Sequence, residues 1–242
     1  MTALVLRGLY KQYSLHGQPV NALTNVNLTV EHGSFVTIVG RSGCGKTTLL
    51  RVIGGLESLS AGQIIFTPPD TKVGMVFQEP RLMPWLTVEQ NMALGMGQAV
   101  GKEKVRQTTS CFLAMLGLTS FKNAYPDQLS GGMAQRAALG RVLCYDPDII
   151  LLDEPLSALD AFTRRNLQKE LVNIFRTQQK TILFVTHDVD EALLLGQRVL
   201  IMEDGGIVGE FTVPLPYPRN SSGEDFYRLR EELLGAIQGG IE

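Results

Sequence analysis

The sequence lacks several features that define specialised classes of protein. Its three cysteines, Cys44, Cys111 and Cys144, are too few and too scattered for a disulfide framework or a zinc site. No stretch approaches the roughly 20 apolar residues that a membrane-spanning helix needs. The 22 basic residues form no cluster and are outnumbered by 24 acidic ones, which argues against a nucleic-acid-binding surface. We therefore expect a protein of a reducing compartment that could serve a membrane only from its surface.

The chain does contain ample material for a hydrophobic core. Its 242 residues are 44% hydrophobic, which suits one large domain or a domain with a sizeable insertion. Residues 2–30 alternate and carry turn formers, which predicts antiparallel strands. The runs Ile149–Leu152 and Thr181–Val185 do not alternate, which is typical of strands buried on both faces of a parallel sheet. The sequence therefore predicts an α/β fold.

The pattern changes to a helical one between residues 79 and 128. Residues 88–94 and 103–116 have apolar side chains at helical spacing, and Thr87 with Gln90 forms a possible capping box. We interpret this region as a helical insertion. Trp85, the only tryptophan, either lines a groove for a partner or anchors the insertion in the core.

One glycine-rich stretch, residues 40–48, lies between an apolar run and a helical pattern. From Gly40 to Thr47 it matches G-x-x-x-x-G-K-[ST], in which backbone N–H groups and a helix N-terminus surround a phosphate. Lys46 can reach the β- and γ-phosphates, and the Thr47 hydroxyl can ligate Mg²⁺. Taken alone, the stretch could also be a glycine-rich turn that happens to contain a lysine.

Polar residues follow several predicted strands at their C-terminal ends, where α/β sheets collect their ligands. Asp153 and Glu154 follow a buried strand, and carboxylates there are costly unless they are paired or metal-bound. Asp153 could support Mg²⁺ and Glu154 could activate a water molecule, although a solvated strand end remains the alternative. Gln78 and His187 occupy similar positions after two other strands.

Two further features allow more than one interpretation. Ser130, Gly131 and Gly132 precede a helical pattern, so they form either a second anion site or an ordinary helix cap. Tyr13 precedes a polar loop at residues 14–19, where its ring could stack on a base or cover a strand.

These motifs occur in the order and at the spacing found in the ATP-binding subunits of ABC transporters, which the sequence resembles over nearly its whole length. The matching segments are residues 40–48, Gln78, Leu129-Ser130-Gly131-Gly132, residues 149–154, Ser157-Ala158-Leu159-Asp160 and His187. Segments 77–80, 84–91, 156–161 and 186–193 look like the nitrate, aliphatic-sulfonate and taurine importer group. Gly140, where alanine is expected, and Asp204-Gly205-Gly206, where a proline-glycine turn is usual, depart from that group.

The resemblance implies a P-loop NTPase (RecA-like) core with a mainly parallel sheet, an N-terminal antiparallel β subdomain and an inserted helical subdomain. Residues 1–242 would form a single ABC ATPase domain. Its parts would be an antiparallel subdomain (2–35 and 60–77), the core (36–58 and 136–211), the helical subdomain with the signature motif (79–135) and a C-terminal tail and helix (212–242).

The resemblance also implies ATP and Mg²⁺ as cofactors and a role for each site residue. Tyr13 would stack on adenine, and Ser130, Gly131 and Gly132 would close onto the ATP of a second copy. The catalytic residues would be Glu154, His187, Gln78 and Lys46, the Mg²⁺ residues Thr47, Gln78 and Asp153, and the phosphate-binding residues Gly40, Arg41, Ser42, Gly43, Cys44, Gly45, Lys46, Thr47 and Thr48.

By the same resemblance, the chain would be the ATP-hydrolysing subunit of an importer for a small anion or organic solute. Its partners would be a second copy in a head-to-tail dimer, transmembrane permease subunits and, indirectly, an extracytoplasmic solute-binding protein, but no nucleic acid. It would lie at the cytoplasmic face of the inner membrane. An ATPase of another transporter class, a soluble ABC ATPase and a small-molecule kinase are the alternatives.

Overall fold

The computed structural model describes residues 1–15, 17–97, 100–157 and 159–239. Ala158 of the 157–160 motif and residues 240–242 of the predicted tail lie outside the described residues. The strands are β1 Thr2–Leu15, β2 Gln18–Glu31, β3 Phe35–Val39, β4 Ala61–Phe66, β5 Val73–Val76, β6 Ile149–Asp153, β7 Thr181–Val185, β8 Arg198–Glu203 and β9 Gly206–Thr212. The helices are α1 Lys46–Ile53, α2 Val88–Ala93, α3 Lys102–Met115, α4 Gly131–Tyr145, α5 Ala161–Gln178, α6 Val189–Leu195 and α7 Glu224–Gly239.

A six-stranded sheet forms the centre of the fold, in the order β5-β6-β7-β3-β8-β9. All its neighbouring pairs are parallel except β8 with β9. Every residue of β3, β6 and β7 is buried, as their unbroken apolar runs predicted. Because these strands are parallel, the segments that follow β3, β5, β6 and β7 meet at one edge of the sheet.

A second sheet, β2-β1-β4, is antiparallel and packs its apolar face on helix α1. The alternation of residues 2–30 predicted this sheet correctly. Assigning all of residues 60–77 to it was wrong, because β5 pairs in parallel with β6 in the central sheet. Gly74 allows this placement, since a Cβ there would lie 2.7 Å from Val142 Cγ1. Four residues are too few for their pattern to indicate which sheet they join.

The helical insertion consists of α2, α3 and the first part of α4, joined by buried side chains that include Met92, Leu113 and Leu116. The predicted capping box at the start of α2 is present, with Thr87 and Gln90 bonded reciprocally. Helix α4 continues without a break into the core cluster, so the expected subdomain boundary at 135/136 falls inside one helix. At Gly140 an added Cβ would lie 2.5 Å from Met92 Cε, so an alanine there would require the Met92 side chain to shift.

Helix α7 closes the C-terminal side of the fold. Its residues Phe226, Leu229 and Leu233 are buried in a cluster with α6 and β8. Its apolar stripe is therefore part of the core. Across the described ranges, no helix combines the length and the apolar character needed to cross a bilayer.

Candidate functional site

The loop between β3 and α1 has the shape of an anion cradle. Gly45, the residue before α1, has φ of 102°, and no side chain caps the first turn of the helix. At Gly40 an added Cβ would lie 2.8 Å from Cys44 Sγ and would also contact the carbonyl oxygen of Met202. The helix therefore presents uncapped N–H groups toward a loop whose close packing requires glycine.

The ammonium group of Lys46 lies inside this loop. Nζ donates hydrogen bonds to the carbonyl oxygens of Gly40 at 2.8 Å and Arg41 at 2.9 Å, and the residue is only 6% exposed. A buried ammonium satisfied by neutral carbonyl oxygens can exchange them for phosphate oxygens, which form stronger charge-assisted bonds. This environment fits the terminal phosphates of a nucleotide.

Thr47 and Asp153 meet beside this loop. The Thr47 hydroxyl donates to Asp153 Oδ1 at 2.9 Å, and Asp153 is only 3% exposed. Burial raises the pKa of Asp153, although the bond from Thr47 and the charges of Arg51 and Lys46 oppose that shift. A hydroxyl and a poorly solvated carboxylate are the hard oxygen donors that Mg²⁺ prefers, so these residues fit the cofactor implied by the resemblance.

Glu154 lies where three strand ends converge. Its Oε2 is 3.5 Å from Gln78 Nε2, which follows β5, and 3.2 Å from His187 Nδ1, which follows β7. The backbone of Glu154 has φ of 44°, in the left-handed region that a non-glycine residue seldom adopts. The Glu154 side chain is 21% exposed, so its carboxylate is oriented by two neighbours and still accessible to a water molecule. This arrangement can support general-base chemistry.

Ser130, Gly131 and Gly132 form the N-terminus of a second helix, α4, which we call the α4 entrance. Ser130 Oγ accepts a hydrogen bond from Met133 N at 3.3 Å, so the serine caps its own helix. A Cβ on Gly131 would meet nothing within 4 Å, whereas one on Gly132 would lie 3.1 Å from Leu159 Cδ2. Both interpretations left open by the sequence remain compatible with this geometry: a cap is present, and the N-terminal turn of α4 is lined by glycine.

Tyr13 does not lie before a loop of six residues. It belongs to β1, where it pairs with Val20 of β2, because β1 extends to Leu15 and β2 begins at Gln18. Its ring is half-buried, with Lys11 Nζ 4.9 Å from the ring centroid. The prediction of a loop aromatic was therefore wrong, although a strand position still leaves part of the ring exposed.

Trp85 is not an anchor inside the core, because it is 70% exposed. The segment that carries it is held in place by Asn91, whose amide donates to the carbonyls of Met83, Leu86 and Thr87. Exposed large hydrophobic residues elsewhere on the insertion include Leu94, Phe121 and Tyr125. The insertion thus has a fixed backbone and exposed aromatic side chains.

Sequence reasoning missed Arg164, which connects two parts of the site. Its Nη2 donates to the Leu159 carbonyl at 3.2 Å, and its Nε lies 3.6 Å from Glu191 Oε1. Glu191 also accepts a hydrogen bond from Thr186 at 2.7 Å, directly before His187. Burial raises the pKa of Glu191, opposed by the bond from Thr186 and by the charge of Arg164. In the sequence, Arg164 is marked only by its position four residues after Asp160. That position does not indicate which residues the side chain contacts.

Comparisons with known proteins match this architecture. The family model described as ABC transporter matches residues 23–157. The chain is 43% identical over 242 residues to the aliphatic sulfonates import ATP-binding protein SsuB of Bacillus cereus, covering 96% of this chain and 95% of that protein. It is 40% identical over 235 residues to the SsuB of Bacillus subtilis, covering 94% and 91%. An uncharacterized ABC transporter ATP-binding protein of Methanocaldococcus jannaschii is 41% identical, with 98% and 92% covered.

Solved structures agree with these relatives. One is a dimeric ATP-binding cassette in a post-hydrolysis state bound to ADP and Pi, with a TM-score of 0.81 and 34% identity over 88% of this chain and 100% of that chain. Another, the dimeric structure of a bacterial ABC transporter cassette, has a TM-score of 0.82 and 33% identity over the same shares.

Proposed function

Because the chain belongs to the ABC transporter family, whose ATP-binding subunits are ATPases, we propose that it powers an importer for aliphatic sulfonates or related small anions. The observation that carries this proposal is the convergence of Gln78, Glu154 and His187 beside the Thr47–Asp153 pair. That arrangement supplies a phosphate cradle, oxygen ligands for Mg²⁺ and an oriented base at one sheet edge.

Each site residue then has a task in ATP hydrolysis. The loop amides and Lys46 hold the β- and γ-phosphates, while Thr47 and Asp153 hold Mg²⁺, which neutralises phosphate charge when it is bound. Glu154 accepts a proton from the attacking water molecule, and His187 and Gln78 keep its carboxylate oriented. Tyr13 offers the exposed part of its ring to the adenine base.

A second copy of the chain would contact this site through the N-terminus of α4. Gly131, at the start of α4, has open space beside it, and the similar solved cassettes are dimers. A head-to-tail pair would place each α4 entrance against the nucleotide of the other copy. ATP would then hold the closed dimer, and hydrolysis would remove the contact that favoured closure.

The exposed aromatic side chains of the helical insertion suit a permease subunit. Trp85 is exposed and follows Gln78 by seven residues, and Gln78 contacts Glu154. A protein docked at Trp85 would therefore bind a segment that leads directly to this contact. Such a partner would hold the ATPase at the cytoplasmic face of the membrane and link it indirectly to an extracytoplasmic solute-binding protein.

The substrate proposal follows from relatives named for aliphatic sulfonate import at 40–44% identity. The departure at Gly140 lies in the packing of the helical insertion, against Met92 and away from the nucleotide site. It therefore does not count against a sulfonate importer.

Growth on a single sulfur source tests this function. A strain of the host lacking this gene should fail to grow on an aliphatic sulfonate and should grow normally on sulfate. The wild-type gene should restore growth, whereas a Glu154→Gln gene should not. Undiminished sulfonate uptake in the deletion strain would contradict the proposed substrate. Formation of a phosphorylated product in place of free phosphate by the purified protein would contradict the ATPase and favour a kinase.

A further inference from the structure

A cavity of about 570 Å³ lies away from the nucleotide site, between α5, the end of α6 and the segment 217–222. Cavities that hold small molecules have volumes of this order. None of the residues used for phosphate, Mg²⁺ or the signature motif lines it. The cavity therefore needs an explanation of its own.

The wall formed by α5 is basic. Arg165, Lys169 and Arg176 line the cavity at positions i, i+4 and i+11, which fall on one face of a helix. Like charges at i and i+4 destabilise a helix, and no carboxylate lines the cavity to compensate them. In the described part of the chain, none of the three side chains forms an ion pair or a hydrogen bond. They leave an unneutralised positive wall in a protein whose formal net charge is −2.

The opposite wall is rigid and partly apolar. The guanidinium group of Arg219 lies over the Tyr217 ring, 4.3 Å from its centroid, and donates to the carbonyls of Leu193 and Leu215. Tyr217 in turn donates its hydroxyl hydrogen to the carbonyl of Leu195 and packs against Phe175. Because these polar groups are used internally, Tyr217 and Arg219 offer mainly hydrocarbon and aromatic surface to a ligand, beside the polar side chains of Asn220, Ser221 and Ser222.

We propose that this cavity binds an amphipathic organic anion, with its phosphate, sulfonate or carboxylate group on Arg165, Lys169 and Arg176. The short hydrocarbon part of the ligand would lie against Val172, Leu194 and Tyr217. A free inorganic ion would use only the basic wall, and a neutral molecule only the apolar one. The combination selects a molecule that carries both groups.

Calorimetric titration of the full chain with hexane-1-sulfonate tests this site. The protein is saturated with MgADP beforehand, so that the phosphate loop is occupied and cannot bind the probe. The test variant is Arg165→Ala/Lys169→Ala, and the control is Lys102→Ala/Lys104→Ala on α3, which removes the same charge from an exposed helix. Hexyl phosphate, hexanoate and the neutral hexan-1-ol are titrated in parallel.

We expect saturable binding of one hexane-1-sulfonate per chain in the wild type and in the control variant. The test variant should bind it at least about tenfold more weakly, because two charge-assisted contacts are lost. The relative affinities of the three anions identify the headgroup class, and hexan-1-ol should not bind measurably. Equal affinity in the two double variants, the absence of saturable binding, or equally tight binding of hexan-1-ol would overturn the proposal. A failure here would leave the ATPase function untouched, because the nucleotide site is elsewhere.

Discussion

The N-termini of helices α1 and α4, here the first and second entrance, look alike in sequence and differ in structure. The N-terminus of α1 follows Gly45 and has no side-chain cap, and the Lys46 ammonium group fills the adjoining loop. The N-terminus of α4 follows Ser130, whose hydroxyl caps the helix, and no lysine follows it. The first entrance is equipped to hold a phosphate within one chain. The second is capped by the Ser130 hydroxyl and has no lysine in its loop, so it suits a phosphate that another molecule already holds.

The N-terminus of α4 is linked through Arg164 to the strand end that carries His187. Gly132 at the start of α4 lies beside Leu159, whose carbonyl accepts a hydrogen bond from Arg164. Arg164 also pairs with Glu191, which is bonded to Thr186 next to His187. Contacts therefore run from the N-terminus of α4 through Leu159, Arg164 and Glu191 to the segment that carries His187. The following predictions test the difference between the entrances and this connection.

The largest effect is expected at Glu154, the proposed general base. Glu154→Gln should reduce ATP turnover by about two to four orders of magnitude, the usual contribution of a general base. ATP affinity should be unchanged, because Glu154 does not belong to the phosphate loop. Phosphate-release assays and nucleotide titration measure the two quantities. Glu103→Gln, an exposed carboxylate on α3, is the control. Normal turnover of Glu154→Gln would exclude Glu154 as the base.

The next largest effect is expected on ATP affinity, at Lys46 in the N-terminus of α1. Lys46→Ala should weaken ATP binding about 10- to 100-fold, because a charged hydrogen-bond donor to phosphate is lost. Lys104→Ala should leave binding unchanged. A fluorescent nucleotide titration distinguishes them. Equal affinities would show that the buried ammonium does not exchange its carbonyl partners for phosphate.

The second entrance should behave in the opposite way. Ser130→Arg should leave ATP binding by a single chain intact, and it should weaken ATP-dependent dimerisation by about tenfold or more through steric overlap. Ser120→Arg places the same side chain at another exposed position of the insertion and should do neither. Both variants are made in the Glu154→Gln protein, and sedimentation velocity with ATP measures how much of each forms a dimer. An unimpaired Ser130→Arg dimer would contradict a composite site.

The smallest expected effect is on the pH dependence of stability, through Glu191, the partner of Arg164. Burial raises the pKa of Glu191 above its ordinary value of 4.5, so the folded state retains its proton at a pH where the unfolded chain has lost it. Stability should therefore fall as pH rises from about 4.5 through the raised pKa. Glu191→Gln removes this contribution, so the Tm of the wild type should decrease relative to that variant over this range. A relative increase would mean that the pairing with Arg164 outweighs burial.

The sequence predicted the placement of several candidate site residues at one edge of the central sheet, because each of them follows a strand with an unbroken apolar run; their roles stay predictions. Gly40 to Thr48, Asp153, Glu154 and His187 are examples. It failed for β5, whose four residues could join either sheet, and for Tyr13, because the extent of β1 beyond Leu9 depends on pairing with β2. Arg164 could not be found, since its partners are 5 to 27 residues away and only the folded chain brings them together. Trp85 was ambiguous because exposure depends on neighbours distant in sequence.

The most direct test of a site shared by two copies is the ATPase rate per chain as a function of protein concentration. If each nucleotide needs the α4 entrance of a second copy, the rate per chain should rise with concentration and level off when the dimer is fully formed. Dilution below the dimer dissociation constant should then abolish turnover while ATP still binds. A rate per chain that stays constant through that dilution would contradict the shared site.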